Sequence, residues 1–80
     1  MVETMTGRLH RLHRVRDEAR RRVDWARAEL SRFESYADPA KEHDALMLCR
    51  LARDLRVAEQ DAAHAMLTLE DAMKAEGLAS

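Results

Sequence analysis

The side chains of this 80-residue chain that could do chemistry are four histidines, one cysteine and a run of arginines. His10 and His13 stand three apart, a spacing that puts both on one helical face and would suit a metal ion. No cysteine or carboxylate completes a set with them, and His43 and His64 fall in the other half of the chain, so no metal and no cofactor are expected. Cys49 has no partner for an internal disulfide. It lies off the apolar seam described below, where a small half-buried hydrophobe is expected rather than a reactive thiol. There is no glycine-rich phosphate loop and no nucleophile in a recognisable setting, so the chain is not expected to be an enzyme or to take a small-molecule substrate.

The arginine run offers a different chemistry. Residues 8 to 22 hold seven Arg and two acids, with His10 and His13 among them, and such a stretch could follow a phosphate backbone. Residues 59 to 76 hold five acids and one Lys, and the whole chain carries a formal charge of −1. If the chain folds back on itself, these segments lie side by side, and pairs such as Arg20 with Glu59 and Arg22 with Asp54 or Asp61 come within reach. Internal pairing therefore explains the basic run better than nucleic acid does.

What would position these groups is legible in the apolar spacing. Leu9, Leu12, Ala19, Val23, Ala26, Leu30, Phe33 and Ala37 return at alternating steps of three and four, with Arg16 as the one intruder. That is the a/d seam of a heptad abcdefg, and it marks a long helix with one dry stripe. A second seam runs through Leu48, Leu51, Leu55, Ala58, Ala62, Ala65, Leu69 and Ala72. Asp38-Pro39 separates them; proline disfavours helix at the residue before it, and the pair can also open the next helix with Asp38 as N-cap and Pro39 as its first residue. Thr4 or Thr6 can cap the first helix, Gly77 closes the second, and Leu78 to Ser80 form a tail.

The reading is all-α: a two-helix antiparallel coiled-coil hairpin in one domain, with helix 1 at about 8–36, the turn at about 37–41 and helix 2 at about 42–76, able to pair into a four-helix bundle. In such a hairpin facing residue numbers share a constant sum. A sum of 81 sets Leu12 on Leu69, Ala19 on Ala62, Val23 on Ala58 and Leu30 on Leu51, so larger residues repeatedly meet alanine. Arg16 then lies over Ala65 with its guanidinium in water.

Five apolar residues remain off the seam. Val15, Tyr36 and Met47 fall at g, and Trp25 and Val57 at c; g and c adjoin, and the g edges of antiparallel helices face each other, so these five can share one flank. A tryptophan among exposed apolar neighbours is a usual mark of a protein-binding surface. Ala45, Cys49, Ala52, Met66 and Met73 form a weaker second flank. No apolar run approaches the roughly 18 residues of a membrane span, and Met1 to Gly7 lacks the apolar core of a signal peptide, so a cytoplasmic location is expected.

Leu9-His10-Arg11-Leu12, the Ala19 to Leu30 repeat, the Asp38-Pro39 turn and Val57-Ala58-Glu59-Gln60 in an alanine-rich second helix together resemble the small needle-protein co-chaperones of bacterial type III secretion systems, the YscE/PscE/SsaE-like group. The resemblance implies a helical hairpin that helps a second chaperone hold a needle subunit before export. No distinctive motif is shared, so it assigns no binding residues. The expected function is a non-enzymatic protein–protein interaction module of this adaptor kind; the alternatives are a self-associating hairpin and, less favoured, a small nucleic-acid binder.

Overall fold

The computed structural model describes residues 5–77. Two helices, α1 (Met5–Glu34) and α2 (Glu42–Ala75), pack side by side and are joined by residues 35–41. The fold is an all-α helical hairpin. At 1.5 Å per residue the helices are about 45 and about 51 Å long, and the molecule measures 54 × 25 × 17 Å. Its radius of gyration of 17.6 Å compares with about 12 Å for a compact domain of this length. It is a rod one layer of helices thick.

The helix ends differ from expectation in instructive ways. Helix α1 is already formed at Met5, so Thr6 lies inside it; Thr4 and the tail Leu78 to Ser80 lie outside the described residues. It ends at Glu34, two residues earlier than expected, where Ser35 Oγ donates to the Arg32 carbonyl at 2.6 Å and the Ala37 N–H donates to the Phe33 carbonyl at 2.9 Å.

Asp38 does not cap α2. Its side chain accepts from the Ala40 N–H at 2.9 Å and its carbonyl accepts from the Lys41 N–H at 3.0 Å, which closes a single turn around Pro39. Lys41, extended at φ −86° and ψ 129°, breaks that turn and serves as N-cap without a side-chain hydrogen bond. Asp44, in the first turn of α2, reaches back instead and accepts the Asp38 N–H at 2.9 Å. Two carboxylates thus hold the connection, and Glu42 and Asp44 also suit the positive end of the α2 dipole. At the far end Gly77 adopts φ 71° and donates to the Lys74 carbonyl at 3.0 Å, the left-handed closure expected of it.

The core is narrow. Ala19, Ala26, Ala65, Leu69 and Ala72 are buried, all of them seam positions, and no side chain among the described residues is completely enclosed. Leu12, Val23, Leu30, Phe33, Leu48, Leu51 and Leu55 are half-buried. Two cylinders meet along one line, so bulky residues on that line are covered from one side only. Arg16 is also half-covered, its side chain 26% exposed, and at the surface its guanidinium meets a carboxylate: Nε and Nη2 donate to the neighbouring Asp17 Oδ1 at 3.2 and 3.0 Å. An adjacent carboxylate captures it as it leaves the seam.

Leu69 is the one large side chain in the buried set. Leu69→Ala should cost about 2 to 5 kcal/mol, a large share of the roughly 3 to 5 kcal/mol such a scaffold holds. The melting midpoint followed by helical circular dichroism should fall steeply; an unchanged midpoint would mean that the seam is not what holds the hairpin.

Candidate functional site

Two grooves run between the helices, one on each side of the seam. One joins Val15 and Arg22 of α1 to Asp61 and Thr68 of α2, all g positions, over a floor of Leu12, Ala19 and Ala65. The other joins Arg20 and Arg27 to Glu59 and Met66, all e positions, over Val23 and Ala62. That separation is what the heptad phase demands.

The charge pairs follow the phase but not the exact partners expected. Arg27, not Arg20, reaches Glu59, with Nη2 to Oε2 at 3.7 Å and both side chains largely exposed. Arg22 and Asp61 line one groove without closing to contact distance. Arg32 pairs with Glu29 within α1. Exposed pairs of this kind add only about 0.2 to 1 kcal/mol, so several arrangements compete at similar free energy. Thr68 spends its hydroxyl on its own helix, donating to the His64 carbonyl at 2.9 Å.

Of the five residues of the expected flank, Val15 is 46% exposed, Trp25 68%, Tyr36 69% and Val57 50%, while Met47 is half-buried. Trp25 is neighboured by Glu18, Arg21 and Arg22, and Arg22 also lines the Val15 groove, so Val15 and Trp25 stand on the same side with a guanidinium between them. Tyr36 turns its ring onto Phe33, centroids 5.2 Å apart and planes at 72°, an edge-to-face contact that ties it to the turn end of the seam. The flank is a series of apolar shoulders separated by charge.

The second flank is not brought together. Met66 lines the e groove, whereas Cys49 is exposed on the outer surface of α2 beside Leu46, Arg50, Arg53 and Arg56. It is not the half-buried hydrophobe expected, because the b position it occupies faces away from α1. Leu46 and Leu67, at 64% and 58% exposed, are further outward apolars that seam analysis passes over. Each lies two residues before a seam leucine, Leu48 or Leu69, and this apolar spacing of two within a helix is the signal that reveals them.

Among the described residues, His, Cys, Asp and Glu nowhere gather in a group of three able to hold a metal ion, and no helix is long and apolar enough to cross a membrane. No protein-family model, curated protein or solved structure matches the chain.

Trp25 lies outside the core, so Trp25→Ala should leave the helicity and melting midpoint of the dilute chain almost unchanged. Loss of folding on that substitution would place the indole in the core and overturn the heptad phase.

Proposed function

We propose that this chain is a non-enzymatic protein–protein interaction module, a helical hairpin whose g/c face is completed by another helical surface. The observation that carries the reading is the half-coverage of its own seam: among the described residues Ala19, Ala26, Ala65, Leu69 and Ala72 are buried, while Leu12, Leu30, Phe33, Leu51 and Leu55 still meet water and Trp25 and Val57 are exposed. A second layer of helices on this face would take more of that surface out of water at about 25 cal/mol per Å². The chain has no disulfide or other covalent staple to compensate for its thin core.

The narrower form of this reading is a cytoplasmic adaptor or co-chaperone subunit of a type III secretion needle chaperone complex. Its support is the resemblance of Leu9 to Leu12, Ala19 to Leu30, Asp38-Pro39 and Val57 to Gln60 to that group. Nucleic acid is less favoured because the basic run of α1 shares its grooves with Asp61 and Glu59 of α2.

Denaturant unfolding of the dilute chain tests the reading. The free energy should lie at or below about 3 to 5 kcal/mol, and a hairpin far more stable than that on its own would have no need of a second layer. Labelled duplex and single-stranded nucleic acids should bind weakly at low salt; sub-micromolar affinity that falls steeply with added salt would shift the function to nucleic acid.

A further inference from the structure

The c and g positions that form the open face have a symmetry of their own. On α1 they carry Arg8, Arg11, Arg22 and Arg32 against Glu18 and Glu29, a surplus of two positive charges. On α2 they carry Arg50 against Asp54, Asp61 and Asp71, a surplus of two negative charges. One half of the face is the electrostatic complement of the other.

Two identical hairpins can meet through this face about two kinds of two-fold axis. An axis across the rod lays α1 on α1, plus two against plus two. An axis along the rod lays α1 of each copy on α2 of the other, antiparallel and at the same axial levels as within one hairpin. The charges select the second arrangement.

We propose that the g/c face is closed by a second copy of this chain about a two-fold axis parallel to the rod, forming a four-helix bundle in which Trp25 of each copy packs on Val57 of the other. The proposal rests on the interaction-module reading and names its partner.

The levels agree along the rod. In the register expected from the two seams, the c positions of α1 and α2 that share a level have numbers summing to 82: Arg11 with Asp71, Glu18 with His64, and Trp25 with Val57. Across the proposed interface these are a base on an acid, an acid on a histidine, and the chain's single tryptophan on an exposed valine. Towards the turn Arg32 meets Arg50, an unfavourable pair flanked by Glu29 and Asp54 at the adjoining g positions, so each guanidinium has a carboxylate diagonally across from it. Tyr36 and Met47 share the last level. A face of 54 by 25 Å offers about 1,300 Å² of projected area, more than the roughly 800 Å² per partner that a stable interface buries.

The test begins with the unaltered chain, its mass followed by sedimentation across a concentration series. The expected result is a reversible dimer, weakened about thirtyfold by Trp25→Ala, which corresponds to about 2 kcal/mol. The axis is then read in Cys49→Ser chains, one carrying Glu18→Cys and the other, differently tagged, carrying His64→Cys. Mixing them should give the mixed disulfide between copies, with Trp25 left in place. A dimer that fails to form this disulfide overturns the proposed axis. A chain that remains monomeric overturns the proposal, and its stability separates the two ideas: a weakly folded monomer leaves the interaction-module reading standing with a different partner, whereas a monomer with a robust cooperative melt removes both.

Discussion

A pair of helices has one line of contact, and everything else in this molecule follows from how that line is filled. Alanine at 19, 26, 65 and 72 lets the helices approach closely and is itself buried, but each alanine contributes little apolar area. The leucines, valine and phenylalanine between them have too much surface for one neighbour to cover and remain half in water. Close approach and a large core are therefore in competition, and this sequence favours close approach. The outcome is a well-specified hairpin with a thin core and two long faces, of which the g/c face carries Trp25 and Val57.

Much of this was legible in the spacing of apolar residues because heptad periodicity is a global property of a long helix. Thirty and thirty-four residues of α1 and α2 average out local accidents, so the phase assigned to Val15, Arg22, Asp61 and Thr68 agrees with the groove they share. Local features were harder to read. Asp38-Pro39 carries every sign of a helix start, yet one turn closes on the Asp38 side chain and Lys41 interrupts it, a choice between near-equal hydrogen-bond patterns that residue types alone do not decide. The partner of Glu59 is a similar case: Arg20 and Arg27 line the same groove at equivalent heptad positions, so periodicity alone does not choose Arg27 as the contact. Arg16 was correctly read as leaving the seam, but its capture by the adjacent Asp17 is a side-chain event below the resolution of periodicity.

The candidate site was legible only as a set of exposures. Trp25, Tyr36, Val15 and Val57 are exposed, as their heptad positions imply, while the charged side chains between them become visible only once Arg22 is seen beside both Val15 and Trp25. Those charges change the meaning of the face. A continuous apolar strip would bind many helices indifferently, whereas apolar shoulders set between charges of opposite sign on the two helices accept a partner whose charges run in the complementary order. This chain carries complementary charge itself, with the c and g positions of α1 net basic and those of α2 net acidic.

Trp25 is the sole tryptophan and stands exposed on the face, so its own fluorescence reports whether that face is covered. Acrylamide quenching and emission wavelength should be measured as the chain is concentrated from the dilute, unpaired state. Coverage predicts an indole that shifts to the blue and becomes protected from quencher as concentration rises, with no change in helicity. Emission that stays red and fully quenchable while the chain is folded and associated would contradict the account, because the surface on which it rests would then be open to water in the assembled state.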